Sequence, residues 1–226
     1  MSAAGVVLAG GASARMGAAK APIPWGDGTL LGRAVAALAP AVGRIVVVRA
    51  PGQELPPLPA GVTVTEDARP GRGPLEGLAA GLAALGPDED AFALAVDMPF
   101  AGAELAAAVL AALAGGGDAA VPRSGGHAQP LAAAYRGRVL ATVRDLLAAD
   151  RTRMRDLLDA IDVTWLDADD LPGGAAALVN VNTPEELARA RQAIREYATT
   201  SPAATPPGGT MASASAPVSD VTAWAP

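Results

Sequence analysis

The chain has 226 residues, 51% of them hydrophobic, and its 23 acids against 17 bases give a net charge of −6. That length suits one ordinary domain with a full core, and an acidic chain without a basic patch makes a poor nucleic-acid binder. Cysteine is absent, which excludes disulfides, thiolate metal sites and cysteine nucleophiles and fits a reducing cytoplasm. The start of the chain enters an apolar run with no basic stretch before it, so no signal peptide is expected. No apolar stretch is long enough to cross a bilayer, so no membrane partner is expected either. With a single histidine, His127, one chain cannot build an imidazole metal cluster.

Short apolar runs alternate with alanine- and leucine-rich stretches of helical length. In chain order the pattern predicts a strand at 5–9, a helix at 30–38, strands at 44–49 and 62–65, and a helix at 74–85. A strand at 92–96, a helix at 103–113, strands at 119–122 and 131–135, and helices at 139–148 and 154–160 follow. A strand at 163–166 and a helix at 184–197 complete the series. Thr183 as N-cap, Pro184 at the first helical position and Glu186 at the third mark the start of that last helix, and Leu187, Ala190, Ile194 and Tyr197 are expected to share one of its faces. The alternation predicts an α/β fold, a Rossmann-like, mostly parallel sheet with helices on both faces, in three α/β/α layers. Residues 1–198 form the expected domain. Residues 199–226, rich in Ala, Ser, Thr and Pro, read as a disordered tail.

In such sheets ligands gather outside the carboxyl ends of the strands. The first of these ends carries Leu8-Ala9-Gly10-Gly11-Ala12-Ser13-Ala14-Arg15-Met16-Gly17-Ala18-Ala19-Lys20. Lys20 is the only lysine, beside 16 arginines. An ammonium is a compact point charge that fits beside a phosphate in a tight loop, where a planar guanidinium does not. Gly10 and Gly11 allow close backbone approach and aim N–H groups at a ligand, Ser13 adds a hydroxyl, and Arg15 adds charge. Ala21 after the lysine excludes a Walker motif, and adjacent glycines exclude the dinucleotide fingerprint.

Asp97 follows the 92–96 strand directly, a position suited to a Mg²⁺ ligand in phosphoryl chemistry. The alternative for Asp97 is a helix cap. Asp67, Gly73, Pro74 and Gly77 sit around a predicted helix N-terminus, a natural anion site. Taken alone, Asp67 reads rather as a solvated turn or cap residue and Gly77 as a point of close helix packing.

The glycine-rich segment closely resembles the L-A-G-G-x-S-x-R-M-G-x-x-K signature of the MobA-like nucleotidyltransferases, nearest to the molybdenum cofactor guanylyltransferases. The likeness recurs in order at Asp67 with Gly73-Pro74-Leu75-Glu76-Gly77, at Asp97-Met98-Pro99, at Gln129-Pro130, and at Asn180-Val181-Asn182-Thr183-Pro184. It implies the nucleotide-diphospho-sugar transferase type of fold. It also implies transfer of a nucleoside monophosphate from a triphosphate, GTP, to the terminal phosphate of molybdopterin, with Mg²⁺ as cofactor and pyrophosphate released. Proteins of molybdenum insertion and molybdoenzyme maturation are the implied partners.

On this resemblance Lys20 and Arg15 neutralise the β- and γ-phosphates while Gly10 and Gly11 donate backbone N–H groups. Backbone and side chains just after Leu8, at Ala9, and near Asp67 read the base, and Asp97 holds Mg²⁺ at the α-phosphate. Gly73, Pro74, Gly77, Gln129, Pro130, Asn180 and Asn182 face the acceptor. Asn182 also has an obvious capping role, which makes Asn180 the better functional candidate of the two. His127 is displaced by two positions from the family's pattern and is assigned no catalytic role. Glu76 stands where the family usually has a small residue, so it recharges or narrows the cleft unless Arg72 offsets it. Two alternatives stay open, the same chemistry with CTP or another acceptor, and a carrier that binds nucleotide without turning it over.

Overall fold

The computed structural model describes residues 3–10, 19–69, 71–86 and 88–200. Among these, eight strands form one sheet. Numbered along the chain, its main path runs in space through β10 (Val163–Asp167), β7 (Ala119–Ser124), β9 (Ala132–Tyr135), β6 (Ala91–Ala95), β1 (Ala4–Leu8), β4 (Arg44–Arg49) and β5 (Thr63–Glu66). β8 (His127–Ala128) pairs with β7 beside this path, while β2 (Pro24–Trp25) and β3 (Gly28–Thr29) form a separate small ribbon. The three short strands β2, β3 and β8 were not expected, because two residues carry no periodicity.

Helices α1 (Leu30–Leu38), α3 (Ala103–Ala114) and α6 (Pro184–Thr200) cover one face with an apolar cluster that includes Val7, Val47 and Leu94. Helices α2 (Pro74–Ala83), α4 (Val139–Ala148) and α5 (Met154–Leu158) cover the other with a cluster that includes Val6, Val46 and Ala93. Successive strand residues therefore feed opposite layers, which is why β1 and β6 are buried at every position. The expected three layers are present. Residues 201–226 of the predicted tail lie outside the described residues.

Most neighbouring pairs are parallel, but β9 runs antiparallel to both β6 and β7. The cause is local. Gly125 and Gly126, with φ of 55° and 77°, make a two-residue turn that pairs Arg123 with Ala128 and Ser124 with His127. Left-handed conformation at both central residues is what such a hairpin demands. The chain then returns between β7 and β6, and the start of β9 lies beside the carboxyl end of β6.

Helix α2 approaches β1 through two glycines four residues apart. A Cβ on Gly81 would stand 2.3 Å from Val6 Cγ1, and one on Gly77 would stand 3.3 Å from Leu8 Cδ2. The packing role weighed for Gly77 is thus present. Since Leu8 ends β1, the contact also sets the N-terminal end of α2 over the carboxyl edge of the sheet.

Candidate functional site

Three polar side chains, distant in sequence, meet at that edge. Lys20 Nζ donates to Asp97 Oδ2 at 2.6 Å and to Asn182 Oδ1 at 2.8 Å. Both ends of the ion pair are largely shielded, with the Lys20 and Asp97 side chains 12% and 17% exposed. Among the described residues Asp97 Oδ1 is buried and has no hydrogen-bond partner.

Each member is set by its own element. Asp97 follows β6, and the Val96 amide donates to Leu8 O at 3.1 Å, which extends the β1–β6 pairing to the site. Asn182 is tied from both sides. The Val181 amide donates to the Asp97 carbonyl at 2.8 Å, and the Asn182 amide donates to Glu186 Oε2 at 2.6 Å. Glu186 also accepts from the Thr183 amide at 3.1 Å, while its own amide donates to Thr183 Oγ1 at 3.2 Å. This reciprocal box caps α6 as predicted and holds Asn182 in the same act. Of the two asparagines it is therefore Asn182, rather than Asn180, that touches Lys20.

The remaining predicted residues surround this centre. Leu8 ends β1, and the Gly10 amide donates to Val48 O at 3.1 Å. A Cβ on Gly10 would stand 3.0 Å from the Ala50 nitrogen, so any side chain there would crowd the neighbouring backbone. Ala9 O accepts from Gln53 Nε2 at 3.0 Å, and Gln53 Oε1 accepts from the Ala50 amide at 2.9 Å. Gln53 thus braces the exit of β1, a role that no sequence motif marks. Gly11, Ser13 and Arg15 fall within 11–18, outside the described residues.

Asp67 directly follows β5, two strands from β1, where its amide donates to Arg49 O and its Oδ1 accepts from the Arg69 amide, both at 2.9 Å. Gly73 precedes α2 with φ of 103°, and Pro74 opens the helix. Gln129 and Pro130 lead into β9. The Gln129 amide donates to Pro122 O at 2.8 Å, and Pro130 O accepts from the Tyr135 hydroxyl at 2.7 Å. Because β9 is antiparallel, this segment arrives at the carboxyl end of β6, where the Ala95 amide donates to Leu131 O at 2.8 Å. His127 sits in the exposed hairpin with Nδ1 2.9 Å from Gly125 O.

Glu76 is a charged side chain buried to 4% exposure in the first turn of α2. Arg69 Nε lies 2.8 Å and Arg72 Nη1 3.3 Å from its Oε1. Arg72 offsets the charge, as weighed, Arg69 joins it, and Arg72 also pairs with Asp150. An open pocket of about 490 Å³ lies elsewhere, lined by Arg49, Leu55, Pro56, Leu58, Val64, Thr65 and Glu66. It sits at the β5 edge, away from Lys20, and its two charged walls neutralise each other, Arg49 Nη2 donating to Glu66 Oε1 at 2.8 Å.

Among the described residues no group of three or more His, Cys, Asp or Glu side chains gathers as a protein-only metal cage. Asp97 and Asn182 nevertheless offer hard oxygen donors, one of them a buried carboxylate oxygen without a partner. One or two protein oxygens completed by substrate phosphates and water is the habit of Mg²⁺, so the donor set fits that ion.

The sheet order, the two helical layers and an ammonium pinned at a strand-end carboxylate define a protein of the nucleotide-diphospho-sugar transferase fold, the fold of nucleotidyltransferases. A family model described as the MobA-like NTP transferase domain matches residues 5–165, and the chain belongs to that family. It is 42% identical over 190 residues to a probable molybdenum cofactor guanylyltransferase of Mycobacterium bovis, covering 81% of this chain and 90% of that one. It is 34% identical over 198 residues to a protein of the same name from Pelotomaculum thermopropionicum, covering 84% and 93%. In fold it resembles the crystal structure of molybdopterin-guanine dinucleotide biosynthesis protein A from Archaeoglobus fulgidus, with a TM-score of 0.71 and 20% identity over 85% of this chain and 99% of that one. No helix among the described residues is long and apolar enough to cross a membrane.

Proposed function

We propose that this protein is a molybdenum cofactor guanylyltransferase, transferring GMP from GTP to the terminal phosphate of molybdopterin with release of pyrophosphate. The observation that carries the reading is the Lys20–Asp97–Asn182 cluster at the carboxyl edge of the sheet. The names of relatives at 34–42% identity support the choice of guanine and molybdopterin.

In the transfer an acceptor phosphate oxygen bonds to the α-phosphorus of GTP, and the bond from that phosphorus to the bridging oxygen breaks. The electron pair leaves with pyrophosphate. A phosphate monoester has its second pKa near about 6, so the acceptor is already largely dianionic and no general base is required. That agrees with a chain without cysteine whose one histidine is a hairpin residue.

The difficulty is bringing two anions together, and the remedy is fixed positive charge and backbone donors. Lys20 supplies charge beside the phosphates, and Gly10 allows the close backbone approach. Asp97 and Asn182 would hold Mg²⁺, which when bound polarises the α-phosphate and neutralises charge. Asp67 and the segment after Leu8 orient the nucleotide. We assign Gly73, Gln129 and Asn180 to the acceptor.

Pyrophosphate release is measured with Mg²⁺ and GTP, CTP, ATP or UTP, with and without molybdopterin. Release with GTP alone, and only when molybdopterin is present, is expected. Release with CTP in its place would overturn the guanine assignment. Tight nucleotide binding without release would overturn catalysis in favour of a carrier.

A further inference from the structure

We infer that Lys20 occupies the cation's place in the nucleotide-free protein, so that a divalent metal enters only with the nucleotide. The inference rests on the reading of Asp97 and Asn182 as the metal's protein ligands. Its ground is the identity of the atoms that Lys20 engages. Asp97 Oδ2 and Asn182 Oδ1, the accessible oxygens of that donor set, are both taken up by one ammonium at 2.6 and 2.8 Å.

A magnesium ion bonds its oxygens at about 2.1 Å. A metal bound to either oxygen would share it with a positive charge held 2.6 or 2.8 Å from that oxygen, in a niche where the Lys20 and Asp97 side chains are mostly shielded from water. Metal and Lys20 therefore compete for the same carboxylate.

The pairing is also incomplete, because among the described residues Asp97 Oδ1 is buried with no hydrogen bond. An unpartnered buried carboxylate oxygen carries a desolvation cost that the contact with Lys20 does not offset, so the ion pair is weaker than a fully satisfied one. The ammonium sits on a flexible four-carbon stem, so it can leave Asp97 without any backbone movement. A triphosphate offers it a partner of higher charge than one carboxylate. Once Lys20 turns to the phosphates, Asp97 and Asn182 are free for the metal that the same phosphates carry. Binding of metal and nucleotide is thereby positively coupled, and by linkage each raises the affinity for the other by the same factor.

Lys20 is the only lysine, so ¹⁵N-lysine labelling of the native protein gives one side-chain ammonium signal to follow. Mn²⁺ binding by electron paramagnetic resonance serves as the metal readout. Without nucleotide, Lys20→Ala is expected to bind Mn²⁺ at least about tenfold more tightly than the native protein, the scale of one charge-assisted contact removed. In the native protein Mn²⁺ alone should leave the ammonium signal unbroadened, and α,β-methylene GTP, whose α–β bridge is not cleaved, should shift it.

Equal Mn²⁺ affinity in the two proteins, or broadening of the native signal by Mn²⁺ alone, overturns the inference. Asp97→Asn in the protein loaded with α,β-methylene GTP separates this from the reading beneath it. Weakened Mn²⁺ binding there, beside equal affinities without nucleotide, removes the competition and leaves Asp97 a ligand. Unchanged Mn²⁺ binding there removes Asp97 as a ligand, and the competition with it.

Discussion

The hydroxyl of Tyr135, a fully buried residue, donates to the carbonyl oxygen of Pro130 at 2.7 Å. The two residues are the far end of β9 and the bend that precedes it, so one side chain spans the strand from inside the core and pins the segment that reaches the carboxyl end of β6. Burial pushes the phenol far above its ordinary value. It therefore remains a neutral donor at every working pH.

Tyr135→Phe is expected to cost about 1–2 kcal/mol, because it leaves a carbonyl without its donor in the core. Urea unfolding would show a lower midpoint at unchanged slope. The KM for the acceptor should rise with little change in the KM for GTP.

Asn182 and Asn180 separate by contact. Asn182→Ala removes an oxygen that faces Lys20 and should lower kcat/KM by about 10–100-fold, the range for groups that orient a metal site. Asn180→Ala should have the smaller effect on kcat/KM. Parallel steady-state kinetics on the two variants decide between them, and the opposite order would return Asn180 to the leading role.

Gly81→Ala forces a methyl to 2.3 Å from Val6 Cγ1. Overpacking of this kind costs about 1–3 kcal/mol, which outweighs the gain of about 1 kcal/mol in helix propensity. Gly86→Ala, where a Cβ meets nothing within 4 Å, is the control and should stay within about 0.5 kcal/mol. Thermal melts of both variants check the contrast.

The Glu76 network is asymmetric in burial, since the carboxylate is 4% exposed while Arg69 is 49% exposed. Removing both arginines, in Arg69→Ala with Arg72→Ala, strands the buried charge and should cost about 3 kcal/mol or more. Glu76→Ala leaves two cations that can turn to water, and it should cost clearly less. Denaturant titrations of the two variants give the comparison.

Much of this was legible along the chain. Periodicity placed the six α-helices among the described residues and the longer strands close to their observed bounds, because each buries a face at its own repeat. The α6 box was readable because Thr183, Pro184 and Glu186 act within one turn. The antiparallel β9 was not legible, since Leu131–Tyr135 carries the same apolar pattern in either direction. Gln53 was not legible either, as its partners Ala9 and Ala50 are backbone groups without a sequence signature. Nor was the second anchor of Glu76, because Arg69 reaches it from a loop where no period applies.

By itself the sequence determined the layers, the strand-end placement of the glycine-rich segment and Asp97, and the cap that opens α6. All of these follow from short-range rules of burial, turn and charge. Only the tertiary structure decided that Lys20 rests on Asp97 and Asn182, 77 and 162 residues away. It also decided that Asn182 takes this place beside Asn180, and that two glycines of α2 exist to meet Val6 and Leu8. Contacts of that range depend on strand order, and strand order is settled by how the whole chain buries its apolar faces at once, which no local window contains.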